Sequence, residues 1–257
     1  MKRAIQKILR RMGYRHDSLP APAPPAESKP LPPDAFEVQR ELIQTNEPVI
    51  FDVGAYIGSV TKIYRERFPG ATIHSFEPFP QSFQELSQSA AGDSRIHCHH
   101  LAMADRPGQA FLNANLSTAT NSLLTTDERG AAFWGGGLLD TTSRVEVTTT
   151  TVDQFCREAG IDQVDILKLD VQGAEFSVLQ GAQEMLASRR ISLIYTEMIM
   201  CPTYEGQHKL HEYLALLDSL GYELLDFYSP VKNQHQLIQA DVIFLNSTFQ
   251  RECRNRS

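Results

Sequence analysis

Apolar and polar residues recur along the chain with two different periods, and the alternation between them predicts helices interleaved with strands. From Asp34 onward, helical spacing covers about 35–44, 59–68, 81–90, 174–187 and 207–220. The apolar runs between them predict the strands PVIFDVG, ATIHSFE, RIHCHHLA, VDILKLD and ISLIYTE, with GYELLDFY and QADVIFLN as two closing strands. Strands separated by helices indicate an α/β fold with a mainly parallel sheet, helices on both faces and a hairpin-like edge at its end.

Two parts of the chain depart from this alternation. Between about 106 and 151, a stretch rich in Gly, Thr and Asn surrounds QAFLN and RVEVTTTT, which predicts an insertion of loops and a hairpin. The second region is at the start of the chain. There, residues 1–16 predict a short basic amphipathic leader helix, and residues 17–33 predict a Pro-rich linker. The apolar face of the leader comprises Ile5, Ile8, Leu9 and Met12. The leader suits either binding to an anionic membrane surface or a solvated segment that docks on its own domain or frays. The folded domain is expected at 34–257.

Composition excludes several classes of protein. With 42% hydrophobic residues among 257, the chain has enough apolar material for the core of a large domain, so a disordered or fibrous protein is excluded. The net charge of -7 argues against a nucleic-acid partner. Four cysteines without metal or disulfide spacing, together with the lack of a membrane-length apolar run or secretory signal, predict a cytoplasmic protein. The leader is its only candidate contact with the inner face of a membrane.

The ends of the first two strands carry groups suited to a nucleoside ligand. Ligands of α/β sheets bind beyond the carboxyl ends of the strands. The first strand enters its helix through the glycine-rich turn DVGAYIGS at 52–59, whose amides suit a carboxylate and whose Asp52 suits an ammonium group. Glu77 ends the next strand, where an acid can accept hydrogen bonds from ribose hydroxyls. These groups match S-adenosylmethionine better than NAD, whose turn usually follows G-x-G-x-x-G.

The fourth strand offers candidate catalytic groups. Alternation places Lys168 and Asp170 on the same side of this strand, facing the predicted cleft. Asp170 is the first candidate to deprotonate or hold an acceptor hydroxyl, and Glu197 and His208 are the next two. Glu175, at the start of the following helix, is expected to stabilise that helix through its dipole.

The histidines of the third strand form a group that superficially suggests a metal site. His97 and His99 are expected on one side of the strand and His100 on the other, with no acid at ligand spacing. We therefore expect surface or edge histidines and no bound metal.

The segments DVGAYIGSVT, FEP, LAMAD and above all VDILKLDVQGAEFSVLQGA resemble the FkbM family of S-adenosylmethionine-dependent methyltransferases. The resemblance covers roughly 48–245 and implies the Rossmann-like class I methyltransferase fold, with a seven-stranded sheet whose last strand is antiparallel. It also implies, in most members, O-methylation, often of sugars in glycans or natural products. One position departs from the family, because Gln172 stands where many members have Glu.

The resemblance also implies positions for the cofactor. The methionine part would be surrounded by Asp52, Gly54, Ala55, Gly58 and Ser59, and the ribose would contact Glu77. Adenine would lie beside Phe79, Ala102 and Met103, for which ordinary core packing is the alternative. Asn121 would enter the site from the insertion, and Asp170 would lie beside the transferred methyl group.

The leading hypothesis is therefore an S-adenosylmethionine-dependent O-methyltransferase acting on a saccharide or another small hydroxylated acceptor. A nicotinamide-linked oxidoreductase on the same strand–helix–strand scaffold is one alternative. A second is a non-catalytic adaptor tethered to a membrane by the basic leader helix.

Overall fold

Residues 34–135 and 137–249 are described by a computed structural model, and the predicted leader helix and Pro-rich linker lie outside these residues. The strands are β1 (Val49–Val53), β2 (Thr72–Phe76), β3 (Ile96–His99), β4 (Ala102–Met103), β5 (Gly108–Asn115), β6 (Thr141–Thr150), β7 (Val164–Leu169), β8 (Ile191–Ile199), β9 (Tyr222–Asn233) and β10 (Gln236–Asn246). The α-helices are α1 (Ala35–Leu42), α2 (Ser59–Arg67), α3 (Pro80–Ser89), α4 (Ala131–Trp134), α5 (Val152–Ala159), α6 (Glu175–Gln180), α7 (Gln183–Ala187) and α8 (Leu210–Ser219). Short 3-10 turns lie at Thr118–Thr120 and Glu128–Gly130.

The main sheet has seven strands in the order β3-β2-β1-β7-β8-β10-β9. Its strands run parallel except β10, which is antiparallel to both β8 and β9. This arrangement confirms the predicted class I methyltransferase fold. The chain first builds β2 and β3 on one side of β1 and later places β7 and β8 on the other side. The switch in strand order therefore falls between β1 and β7, where an α/β sheet opens a ligand crevice.

The two faces of the sheet bury separate apolar clusters. Ile50 of β1 packs in one cluster with Ile73 and Ile166, against α1 and α2. The next residue, Phe51, points to the opposite face and packs with Leu167 in the larger cluster, which α5 to α8 cover. Because side chains alternate along each strand, one strand contributes apolar residues to the core on both faces of the sheet. Burying each side chain of this size stabilises the fold by about 1.5 to 3 kcal/mol.

A second sheet of three strands, in the order β4-β6-β5, stands beside the first. The third strand was predicted as one piece over 95–102, but β3 ends at His99 and Ala102 pairs instead with Thr149 of β6. Helix α5 was not predicted, although Thr151 caps it by accepting a hydrogen bond from the Gln154 amide. The predicted helix over 174–187 is divided into α6 and α7, and the one predicted from 207 begins at Leu210.

None of the helices lying within 34–135 and 137–249 is long and apolar enough to cross a membrane.

Candidate active site

A cleft of about 720 Å³, its open mouth included, lies at the carboxyl ends of β1, β2 and β7. Its apolar walls include Val53, Phe76, Pro78, Leu101, Ala102, Met103, Leu112, Leu123 and Val171. Its remaining lining residues are Gly54, Tyr56, Glu77, Thr118, Ala119, Asn121, Asp170 and Gln172. The predicted residues Gly54, Glu77, Ala102, Met103, Asn121 and Asp170 therefore share one cleft.

Two glycines of the first-strand turn allow neighbouring parts of the protein to approach each other. A Cβ on Gly54, which has φ +72°, would lie 1.8 Å from the carbonyl oxygen of Asp170. A Cβ on Gly58, which has φ +88°, would lie 2.6 Å from Ser89 Oγ of α3. At both positions the atoms nearest to such a Cβ belong to the protein itself, and the predicted approach of a ligand to these glycines stays a prediction. Gly54 lets the β1 and β7 loops meet at the floor of the cleft.

Asp52 and Lys168 form an ion pair inside the sheet and do not line the cleft. They are direct neighbours in the β1–β7 register, and Lys168 Nζ lies 2.9 Å from Asp52 Oδ1. Asp52 is fully buried and accepts a hydrogen bond from Thr61 Oγ1, while Lys168 donates to the Gly54 carbonyl at 2.9 Å. Burial lowers the pKa of Lys168, but the negative charges of Asp52 and Asp170 raise it by more, so the pKa is raised overall. Both side chains are therefore buried against each other, and the roles predicted for Asp52 toward the cofactor and for Lys168 in catalysis stay predictions.

Glu77 presents its carboxylate to the cleft from the end of β2. Its Oε2 accepts a hydrogen bond from the Tyr56 amide at 2.9 Å, and its Oε1 accepts one from the Phe79 amide at 2.8 Å. Each carboxylate oxygen keeps a further lone pair for a ligand hydroxyl. Burial raises the pKa of Glu77 to about 7. The Phe79 ring packs with Ala102 and is not among the cleft-lining groups, so Phe79 contributes through its backbone.

Asn121 places an unused donor at the cleft. Its Oδ1 accepts a hydrogen bond from the Asn115 amide at 2.8 Å, which fixes the orientation of the side chain. Its Nδ2 is buried and has no hydrogen-bond partner among the described residues. Because buried donors are nearly always paired, this nitrogen makes Asn121, a residue of the cleft lining, a candidate ligand contact.

Asp170 and Gln172 form the opposite wall. The Asp170 side chain is 38% exposed and its Oδ2 lies 3.8 Å from Lys168 Nζ. The Gln172 amide connects Asp170 to Glu197, which lies behind the wall and is not a lining residue. Burial first, and then the nearby Asp170, raise the pKa of Glu197 well above its ordinary value. Of the predicted catalytic residues, Asp170 alone reaches the cleft within the described part of the chain.

The remaining predicted residues lie away from the cleft lining. The His208 ring stacks on Phe176 with centroids 3.8 Å apart, and its Nδ1 lies 2.9 Å from Glu212 Oε1. These contacts hold His208 against α6 and α8. Ala55 and Ser59 belong to the turn and to the start of α2, beside the cleft but not among its lining groups.

Glu175 supports the wall from inside, and its predicted interaction with the helix dipole stays a prediction. It is almost fully buried, and its Oε1 accepts hydrogen bonds from the Val171 and Gly173 amides. Burial raises its pKa to about 7. Its carboxylate thus fixes the loop between β7 and α6, in addition to any interaction with the helix dipole.

The edge histidines pack against one another. The rings of His97 and His99 stack on His74, with centroids 5.0 and 5.3 Å away. Burial, followed by the neighbouring histidines, lowers the pKa of His74 to about 4. Among the described residues, no group of three or more His, Cys, Asp or Glu side chains is arranged to hold a metal ion.

Sequence reasoning gave no role to several cleft residues, including Tyr56 and Gln172. Tyr56 has φ +52°, and its hydroxyl lies 2.9 Å from Thr118 Oγ1 across the cleft mouth. The sequence gives no signal for this contact, because it depends on how the insertion folds back over the first turn. Gln172 was noted only as a departure from the family pattern.

The sequence of this chain is similar to a known protein family and to several of its members. The family model described as "Methyltransferase FkbM domain" matches residues 52–224. The chain is 30% identical over 203 residues to 2-O-methyltransferase NoeI of Sinorhizobium fredii, covering 76% of this chain and 82% of the relative. It is 26% identical over 205 residues to methyltransferase sdnD of Sordaria araneosa, covering 70% and 75%. It is 25% identical over 202 residues to 31-O-demethyl-FK506 methyltransferase FkbM of Streptomyces tacrolimicus, covering 71% and 75%.

Proposed function

The chain belongs to the FkbM family of S-adenosylmethionine-dependent methyltransferases, and from that premise we propose that it methylates a hydroxyl oxygen of a saccharide or another small hydroxylated acceptor. The observation that carries this proposal is the half-exposed Asp170 carboxylate, which lies in the same cleft as Glu77. A base and a ribose-binding acid in one cleft suit methyl transfer to an alcohol.

The cleft residues fit the cofactor, which when bound supplies a methyl group activated by a sulfonium. Glu77 would accept hydrogen bonds from the ribose hydroxyls, and Asn121 Nδ2 would donate to the adenosine part. Ala102 and Met103 would pack against adenine. The methionine part would lie beside Gly54 and Ala55 of the turn and beside Gly58 and Ser59, where α2 begins. Gly58 has no side chain to cap the first amides of α2, so these amides suit the carboxylate of the methionine part.

Asp170 has the position required of a general base. In transfer to an alcohol, the bound cofactor would supply the methyl group and its sulfur would keep the electron pair of the broken bond. The Asp170 carboxylate would take the hydroxyl proton as the ether forms. Neighbouring Lys168, held by Asp52, keeps a positive charge 3.8 Å from the Asp170 carboxylate.

The names of two relatives support oxygen as the methylated atom. One is described as a 2-O-methyltransferase and another as a methyltransferase of 31-O-demethyl-FK506. The saccharide class rests on the family resemblance in the sequence.

The test uses the full chain, S-adenosylmethionine with a labelled methyl group, and a panel of mono- and oligosaccharides. Each sugar with a free 2-hydroxyl is paired with its 2-deoxy counterpart, and products are analysed by tandem mass spectrometry. We expect one methyl group on a hydroxyl oxygen. Asp170→Asn should reduce turnover about 10² to 10⁴-fold while S-adenosylhomocysteine affinity is largely kept.

The matched control is Asp162→Asn, because Asp162 is exposed just before the other end of β7. Transfer to nitrogen or carbon, or full activity of Asp170→Asn, would contradict the proposal. Glu197→Gln and His208→Ala test the two other predicted bases in the same assay. Calorimetric titration with NAD tests the oxidoreductase alternative.

A further inference from the structure

Gln172 lies between two carboxylates and a phenol, and its amide bonds to all three. Its Nε2 donates to Asp170 Oδ1 at 2.9 Å and to Glu197 Oε2 at 3.0 Å. Its Oε1 accepts from the Tyr204 hydroxyl at 3.0 Å. The opposite orientation of the amide would turn its oxygen toward two carboxylates, so the contacts allow a single orientation.

The backbone of Gln172 also directs this side chain. Its φ of +55° lies in the left-handed region, which non-glycine residues seldom adopt. The carbonyl of Gln172 accepts a hydrogen bond from Ser122 Oγ of the insertion at 2.7 Å. Unusual backbone conformations of this kind persist where several contacts hold them, and they cluster at functional sites.

The electrostatic surroundings explain why a neutral donor suits this position. Asp170 and Glu197 are two acids bound to the same amide nitrogen, and Lys168 is committed to Asp52 at 2.9 Å. Without a donor between them, two neighbouring carboxylates repel each other or share a proton. The amide satisfies both and carries no charge of its own. It leaves Asp170 Oδ2, which lies 3.8 Å from Lys168 Nζ, without a hydrogen bond to Gln172.

We propose that Gln172 is a positioning residue of the transfer reaction, which holds the Asp170 carboxylate in place by linking it to Glu197 and Tyr204. This inference rests on the proposed function, because the base that it positions is the base of O-methyl transfer. Gln172 acts through Asp170 and takes no proton itself. The amide is a fixed donor at every pH, so the base stays oriented over the range in which the neighbouring acids titrate.

The test compares Gln172→Glu with Gln239→Glu on an acceptor identified by the saccharide panel. Gln239 Nε2 donates to the other oxygen of Glu197, and Gln239 is not a cleft-lining residue, so the same change is made beside the same acid without touching Asp170. We expect Gln172→Glu to lower kcat about 10²-fold at pH 8, with S-adenosylhomocysteine affinity within about threefold of wild type. The loss should shrink toward pH 6, where a protonated Glu regains one donor. Gln239→Glu should show less than about threefold change.

Three results would overturn the inference. They are activity of Gln172→Glu within threefold of wild type, a loss that does not vary with pH, and an equal loss in Gln239→Glu. If Gln172→Glu does not fold, Gln172→Met decides the matter, since it keeps the length of the side chain and removes its donors. Reduced kcat with retained cofactor affinity supports the inference, and unchanged kcat overturns it.

A separate measurement distinguishes failure of this inference from failure of the proposed function. In protein labelled with ¹⁵N-glutamine, the side-chain amide signals of Gln172 are identified by their absence in Gln172→Met. Asp170→Asn and Glu197→Gln should each shift these signals, whether or not an acceptor is known. A wild-type chain that transfers no methyl to oxygen removes both proposals, whereas an active wild type with signals insensitive to Asp170→Asn removes only this one.

Discussion

Replacing Lys168 by Met should destabilise the protein strongly, because it leaves a carboxylate inside the sheet without its cation. Asp52 is fully buried, and Lys168 Nζ, on a side chain only 5% exposed, lies 2.9 Å from it. Removing one member of such a pair costs about 3 to 5 kcal/mol. For a domain of this size, each kcal/mol lowers Tm by about 2 to 4 °C. Lys168→Met should therefore lower Tm by about 6 to 20 °C.

Replacing the acid of the pair should destabilise the protein less than replacing Lys168. In Asp52→Asn, Lys168 still donates to the Gly54 carbonyl and still lies near Asp170. The double variant Asp52→Asn/Lys168→Met contains neither charge. Its loss in free energy of unfolding should therefore be at least about 1 kcal/mol smaller than the sum of the two single losses. Asp165→Asn is the control, because Asp165 lies on the same strand and accepts a hydrogen bond from the Val49 amide without a cation.

The assay is urea unfolding, followed by calorimetric titration with S-adenosylhomocysteine of every variant that folds. Additive losses within about 0.5 kcal/mol would refute the coupling. A different result would support the role that we predicted from the sequence: Asp52→Asn with normal stability and affinity reduced tenfold or more would mean that Asp52 contacts the cofactor.

Three further predictions concern the cleft. The proposed ribose contact needs the ionised form of Glu77, and burial raises the pKa of this carboxyl to about 7. Affinity for S-adenosylhomocysteine should therefore tighten about tenfold from pH 6 to 8, and calorimetry should find it independent of pH in Glu77→Gln. Gly54→Ala should lose about 1 to 3 kcal/mol more than Gly92→Ala in urea unfolding, since both have positive φ but no atom lies within 4 Å of a Cβ on Gly92; equal losses would contradict the crowding. Tyr56→Phe removes the bond to Thr118 and should speed S-adenosylhomocysteine dissociation about fivefold in stopped flow, whereas an unchanged rate would show that the contact does not hold the mouth.

Much of the fold follows from local patterns in the sequence. The order of helices and strands was predictable because apolar periodicity differs between the two, and the glycine-rich turn correctly marked the end of β1. The switch between β1 and β7 followed from that order. Helix α5 was missed because it directly follows β6, although its Thr151 cap was readable in the sequence.

The site was less predictable, because it depends on register and on distant contacts. Strand alternation correctly put Lys168 beside a cleft acid, but only the pairing of β1 with β7 places it opposite Asp52. The burial of that pair could not be read from strand alternation alone. Likewise, Gln172 was visible as an unusual residue, while its partner Glu197 comes from another strand.

The cleft mouth is assembled from segments that are far apart along the chain. Tyr56 meets Thr118 across 62 positions, Ser122 meets the Gln172 carbonyl across 50, and the Tyr204 hydroxyl meets the Thr120 carbonyl across 84. Contacts that close long loops form after local ones, because the chain entropy of closure must be overcome first. The mouth should therefore be completed late in folding and open first in the native state, so that hydrogen exchange of the insertion slows when S-adenosylhomocysteine is bound. Cofactor binding then reports that the last stage of folding is complete.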